Sequence, residues 1–331
     1  MTLLYTHPSS YAHETGGHPE NKGRIKAIEA ALEEASLPDL AAVEPPRATS
    51  EQLARVHDQE HLASLEAFCA SGGGMIDLDT VASEGSWEAA LRAAGAACDA
   101  VDRLLAKDDR SAFCALRPPG HHAETDKSMG FCLVNHAAIA AEHARTRGAD
   151  RVLIFDWDVH HGNGTEEIFK ASEHVLYASI HGWPLYPGTG DISYTGEGAG
   201  EGYTVNMPVP NGSGDDLFEA LTEHVVVPIA REFDPGLIAI SAGFDAHADD
   251  PLASCEVSEG GYRTMAAQVA AVAAELDVPV LVCLEGGYDP TALGRSVVAM
   301  LEGLSDGSEL SGADESLAAP YRERFAANWP L

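Results

Sequence analysis

Short, almost uninterrupted apolar runs recur along the chain, at residues 111–116, 151–155, 174–180, 236–242 and 278–284. None alternates strictly between apolar and polar positions. Each therefore predicts a strand buried on both faces, as in a parallel sheet flanked by helices. The segments between them carry a different period: residues 20–35, 87–105, 135–147, 215–231, 259–275 and 290–301 repeat apolar positions at helical spacing. Strands alternating with helices predict an α/β chain in which helices cross over from one parallel strand to the next. Residues 203–210 predict one more strand, near a sheet edge. No repeat, low-complexity tract or long linker interrupts this pattern, so a single domain over residues 1–331 is expected.

Polar residues gather where the apolar runs end. RPPGHH (117–122), DWDVHHGNG (156–164), SAGFDAHADD (241–250) and LEGGYD (284–289) each follow such a run. In open parallel sheets, ligands bind beyond the carboxyl ends of the strands. These four segments are thus the candidate chemistry, although their spatial order is not readable from sequence.

In an extended chain every second residue points the same way, so Asp156, Asp158 and His160 share one side of a strand end. Carboxylate and imidazole suit a divalent first-row metal, and Asp245, beyond another run, is the best candidate for a third ligand. Two Asp and one His leave a coordination position open for water and substrate. The competing reading is that the acids cap the next helix, a task Asn163 or Thr165 could perform. The adjacent imidazoles of His121 and His122 suit proton transfer near neutral pH. By contrast His57, His61, His136, His143, His174 and His224 read as surface or core histidines. Gly286 and Gly287 permit a sharp turn and a close backbone approach. They would present the Tyr288 hydroxyl to a developing oxyanion, with an ordinary Gly-Gly turn an equal alternative.

Charge narrows the ligand classes. Asp and Glu number 52 against 20 Lys and Arg, for a net charge of −32. Such a field repels phosphate backbones, so nucleic acid is not an expected partner. Cations would be attracted, though a solvated acidic surface produces the same composition. No run approaches the roughly 18 apolar residues of a membrane span. The start, MTLLYTHPSSYAHE, lacks a basic segment and a long apolar stretch, so no signal peptide is expected there. Six Cys scattered without a CxxC pair add the expectation of buried, reduced thiols in a cytoplasmic protein.

HPEN-x-x-R (18–24), RPPGHH, GFC-x-x-N (130–135), DWDVHHGNG, SIH (179–181), YPGTGD (186–191), SAGFDAH and LEGGYD occur in this order. Over about residues 3–299 the chain resembles the histone deacetylase and acetylpolyamine amidohydrolase family. The resemblance implies the arginase-deacetylase fold, a three-layer αβα sandwich around a mainly parallel sheet. It also implies zinc-dependent hydrolysis of an N-acyl amide. Carried over residue by residue, Asp158, His160 and Asp245 would bind one zinc ion. His122 would be the general base toward the attacking water and later the acid toward the leaving amine. His121, paired with Asp156, would be its electrostatic partner, and Tyr288 would stabilise the oxyanion. Gly130, Phe131 and Tyr186 would wall a narrow tunnel for an aliphatic amine. Asp156, Asp158, His160, Ser179 and Ile180 would hold a structural potassium ion, and Arg24 matches a residue of the acetate-release cavity.

Three departures refine the resemblance. Asn163 stands behind His122 where the class I branch has Asp, which places the chain with the class II-like and bacterial branch. Leu252 occupies the position of an acidic gatekeeper in a polyamine-selective member. The long insertion near residues 70–85 of dimeric bacterial acetylpolyamine amidohydrolases is missing. The expected activity is removal of acetyl or other short acyl groups from lysine side chains or related amines. An acylated lysine peptide is the expected substrate partner, with an acetylated polyamine the alternative. A two-manganese, arginase-like ureohydrolase is a weaker competitor, because Asn163 stands where a bridging carboxylate would be needed and that chemistry leaves the His-His and Tyr motifs unexplained. An inactive acyl-amine binding module is weaker too, because the metal set, His122 and Tyr288 are all present.

Overall fold

A computed structural model describes residues 1–37, 39–107, 109–307 and 312–331. In chain order the strands are β1 (Thr2–Tyr5), β2 (Leu40–Val43), β3 (Gly73–Met75), β4 (Val81–Ser83), β5 (Ser111–Cys114), β6 (Val152–Asp156), β7 (Val175–Gly182), β8 (Thr204–Val209), β9 (Leu237–Ala242) and β10 (Val280–Leu284). Eight of them form one sheet in the order β2-β1-β5-β10-β9-β6-β7-β8, while β3 and β4 make a separate hairpin. Every neighbouring pair in the large sheet is parallel.

The five apolar runs are the five contiguous inner strands β5, β10, β9, β6 and β7. Successive side chains enter opposite cores, which is why these runs show no alternation with polar residues. Leu153 and Phe155 pack on one face of the sheet, and Val152 and Ile154 on the other. The first face is covered by helices Gly23–Ala35, Glu259–Leu276 and Pro290–Asp306. The second is covered by Ser86–Leu105 and His136–Thr146, whose buried alanines let the backbones approach the sheet closely. The result is three layers, αβα, and residues 203–210 supply the edge strand β8 as expected.

Two features depart from the sequence pattern. β1 and β2 were too short to read, at four residues each. The helix expected over residues 215–231 is present but changes winding: a π-helical turn, Thr222–Val226, separates Asp215–Leu221 from Val227–Phe233. Pro228 has no N–H to donate one turn back, and the Thr222 hydroxyl donates to the Phe218 carbonyl at 2.8 Å. Both perturb the regular ladder. Among the described residues, no helix is long and apolar enough to cross a membrane.

The strand order answers what periodicity could not. β5, β10, β9 and β6 are neighbours, so the four polar strand ends meet at one edge of the sheet.

Candidate active site

The β6–β9 register pairs Asp156 with Ser241. It sends Asp158 and His160 beyond one strand end and Asp245 beyond its neighbour. All three are buried, and one ligand atom from each lies within 4.8 Å of the others. His160 Nδ1 is 3.1 Å from Asp245 Oδ2 and 3.3 Å from Asp158 Oδ1. Among the described residues, neither carboxylate is paired with a Lys or Arg. Two carboxylates sharing a dry site are costly without a cation. Burial alone would lower the His160 pKa, but its bonds to Asp158 and Asp245 outweigh that and raise it to about 10.

The surrounding backbone is shaped to this cradle. A Cβ on Gly286 would stand 2.1 Å from Asp245 Oδ2 and 2.6 Å from Asp158 Oδ2. Only glycine lets the turn after β10 pass there, and its N–H donates to Asp158 Oδ2 at 2.8 Å. Val159 N–H donates to Asp245 Oδ1 at 3.0 Å. The donor set and the space fit a divalent first-row metal. The helix-capping reading of the acids fails, because helix Asn163–Phe169 begins at Gly162 without any side-chain cap.

His121 and His122 follow β5, and their backbone is held from β10. The Glu285 carboxylate accepts the N–H groups of Gly120 at 2.6 Å and His121 at 3.1 Å. The two rings have different partners: His121 Nδ1 lies 3.0 Å from Asp156 Oδ2, and His122 Nδ1 lies 2.8 Å from Asn163 Oδ1. The Asn163 amide nitrogen donates to Glu124 Oε1 at 2.7 Å, which turns its oxygen toward His122. His122 Nδ1 therefore carries the proton and Nε2 is left as an acceptor. Burial, together with the neighbouring His121, holds the His122 pKa well below its usual value. Burial also lowers that of His121, but the Asp158 and Asp156 carboxylates outweigh it and lift the value to about 10.

A cavity of about 220 Å³ opens above these groups, lined by Asp79, His122, Gly130, Phe131, His160, Leu185, Tyr186, Leu252 and Tyr288. It falls below the roughly 300 Å³ of a typical small-molecule site, as suits one slender chain. Gly130 has φ +56°, and a Cβ there would lie 2.4 Å from the His122 ring. Phe131 stands edge-on to Tyr288, with ring centroids 5.7 Å apart, and Tyr186 edge-on to His122 at 5.1 Å. A larger hollow of about 390 Å³, lined by Thr2, Ser111 and Val280, lies at the opposite ends of the strands, away from this cluster.

Beneath the cavity, Arg24 donates to the Gly287 carbonyl at 2.7 Å and to Glu20 Oε1 at 3.2 Å. Glu20 is also held by Arg117, with Nη2 donating to Oε2 at 2.6 Å, and by His13 at 3.3 Å. Asp156 and Ser179 face each other across paired strands, with Ile180 next in β7. Two acids of this region were not singled out from sequence. Asp79 comes from the β3–β4 hairpin, where Thr80 Oγ1 accepts the Phe131 N–H at 3.1 Å. Asp250 lies below Leu252 and Tyr288. The hairpin strands, three residues each, give no apolar run to flag Asp79.

Comparison with known proteins agrees with this geometry. Residues 18–304 match the model of the histone deacetylase domain. A "probable deacetylase" of Methanothermobacter thermautotrophicus is 41% identical, covering 99% of each chain. A "histone deacetylase-like amidohydrolase" of Pseudomonas aeruginosa is 36% identical over 94% of this chain and 81% of its own. The crystal structure of the HDA15 HD domain superposes with a TM-score of 0.92 at 36% identity, covering 99% of this chain and 95% of that one.

Proposed function

Since the chain belongs to the histone deacetylase family, we propose that it is a zinc-dependent amidohydrolase that removes acetyl or other short acyl groups from lysine side chains or related amines. One observation carries this reading: His122, His160 and Tyr288 converge on a single narrow cavity closed below by Asp158 and Asp245.

Asp158, His160 and Asp245 would hold one zinc ion, which when bound supplies a Lewis acid to polarise the acyl carbonyl and acidify a water. The chain's own groups do the rest. Phe131, Tyr186, Gly130 and Leu252 enclose the aliphatic part of the amine and exclude bulk water. His122 Nε2 takes a proton from the attacking water and returns it to the leaving amine nitrogen. His121 stays protonated beside Asp156 and offsets the negative charge that develops on the acyl oxygen. The Tyr288 hydroxyl donates to that oxygen. Potassium, held around Asp156, Asp158, His160, Ser179 and Ile180, would stiffen the turn bearing the zinc ligands. Action is proposed in the cytoplasm, by one domain spanning the chain.

An acetylated polyamine is the second reading. Asp79 on the cavity wall and the net charge of −32 favour a second cationic centre on the substrate, whereas Leu252 supplies no carboxylate. Hydrolysis of acyl-lysine peptides and acetylated polyamines by zinc-loaded protein separates the two by their kcat/KM. Absence of turnover across both sets, or two divalent ions per active chain, would overturn the proposal.

A further inference from the structure

Tyr288 ends the turn after β10, preceded by Gly286 and Gly287, and Gly287 has φ +119°, a conformation other residues rarely adopt. Among the described residues its hydroxyl has no hydrogen-bond partner. Its ring meets Phe131 edge-on and carries the Arg24 guanidinium over its face, 5.1 Å from the centroid. The Gly286 N–H is held by Asp158 at 2.8 Å and the Gly287 carbonyl by Arg24 at 2.7 Å, and a further contact fixes the Tyr288 backbone itself.

The buried carboxylate of Asp250 does so through three backbone N–H groups. Oδ2 accepts from Tyr288 at 2.6 Å and from Asp289 at 3.3 Å, and Oδ1 accepts from Leu252 at 2.9 Å. The Asp250 N–H in turn donates to the His247 carbonyl at 2.9 Å. Just past the turn, the Asp289 side chain accepts from Thr291 and Ala292 and caps helix Pro290–Asp306. The turn is therefore anchored to a helix on one side, and Asp250 anchors it laterally to the loop after β9. Asp250 is absent from the cavity lining, yet it ties together two wall residues, Leu252 and Tyr288, from two strand ends.

We propose that Asp250 is a positioning residue for amide hydrolysis: its carboxylate sets the Tyr288 hydroxyl at the acyl oxygen and holds Leu252 in register with it. The role rests on the proposed function. A misplacement of about 1 Å in a reacting group can cost on the order of 100-fold in rate, so the tether matters even though it touches no substrate.

The decisive experiment is a double-mutant cycle on the zinc-loaded full chain. Asp250→Asn keeps the shape but offers one acceptor oxygen and sets an N–H₂ group against an N–H. It should lower kcat by roughly 10- to 100-fold with KM within about twofold, zinc content unchanged and a normal fold. In a Tyr288→Phe background the same change should lower kcat by less than about twofold, because coupled residues are not additive. Equal loss in both backgrounds would overturn the proposal, since a merely structural residue behaves that way. Backbone amide exchange at Tyr288 and Asp289 should also be faster in Asp250→Asn, and unchanged exchange would overturn the tether itself. That measurement needs no turnover, so an inactive wild-type chain would count against the proposed function alone. Should Asn at 250 prevent folding, Asp250→Ser, a smaller residue, carries the same two measurements.

Discussion

His122 Nδ1 and Asn163 Oδ1 lie 2.8 Å apart, and the Asn163 amide nitrogen is already engaged by Glu124. A neutral amide orients an imidazole without charging it, whereas Asp156, behind His121, favours the protonated ring. The adjacent histidines are thus set for different protonation states. His122→Ala is expected to remove nearly all turnover, and His121→Ala to leave measurable activity with an altered pH profile. Steady-state kinetics at several pH values, with zinc content matched, checks this. The reverse order of severity would invert the roles.

Removing the metal should abolish hydrolysis and also lower thermal stability, because a ligand held by buried Asp158, His160 and Asp245 binds the folded chain alone. Readdition of zinc should restore both at one ion per chain. Metal analysis alongside melting curves tests it, and stability indifferent to chelator would argue against that cradle as the site.

Tyr288→Phe deletes one hydroxyl from the cavity. If it contacts only the developing oxyanion, kcat should fall by roughly 100- to 1,000-fold, with KM nearly constant. Near-normal turnover would make Tyr288 a turn residue and nothing more.

Glu20 supplies a pH signature of stability. Burial raises its pKa, but Arg117 and His13 outweigh that and hold it well below the usual carboxylate range. A depressed folded pKa means the stabilisation is complete above the unfolded value of about 4.3 and is lost as pH falls through the folded one. Glu20→Gln should therefore cost about 3–5 kcal/mol at pH 7, typical of breaking a buried pair. The difference from wild type should shrink below about pH 4. Urea melts at both pH values measure it, and a pH-independent difference would refute the linkage.

How much of this was legible follows from what each signal depends on. The inner strands announced themselves because both faces are buried, so Val152, Leu153, Ile154 and Phe155 are all apolar. β1 and β2 left no such trace, being four residues each. The polar strand ends were visible as clusters, but their adjacency depends on non-local pairing that no local pattern encodes. Asp79 and Asp250 were invisible for another reason. In a chain with 52 acidic residues, one loop Asp near another, as in Asp77 and Asp79 or Asp249 and Asp250, is indistinguishable from solvated surface until its partners are known.

The β3–β4 hairpin brings Asp79 to the cavity wall, yet it belongs to neither the large sheet nor the strand ends that carry the metal cradle and the paired histidines. It meets the tunnel through Thr80 and the Phe131 backbone and through the Asp79 carbonyl, 2.9 Å from the His18 ring that packs edge-on against Phe131, and Leu78 at its tip is 98% exposed. One residue of the cavity wall thus comes from a part of the fold separate from the metal cradle and the paired histidines. Under the proposed function, recharging the segment from Ile76 to Asp79 is expected to change which amine is accepted without altering the metal cradle or the paired histidines.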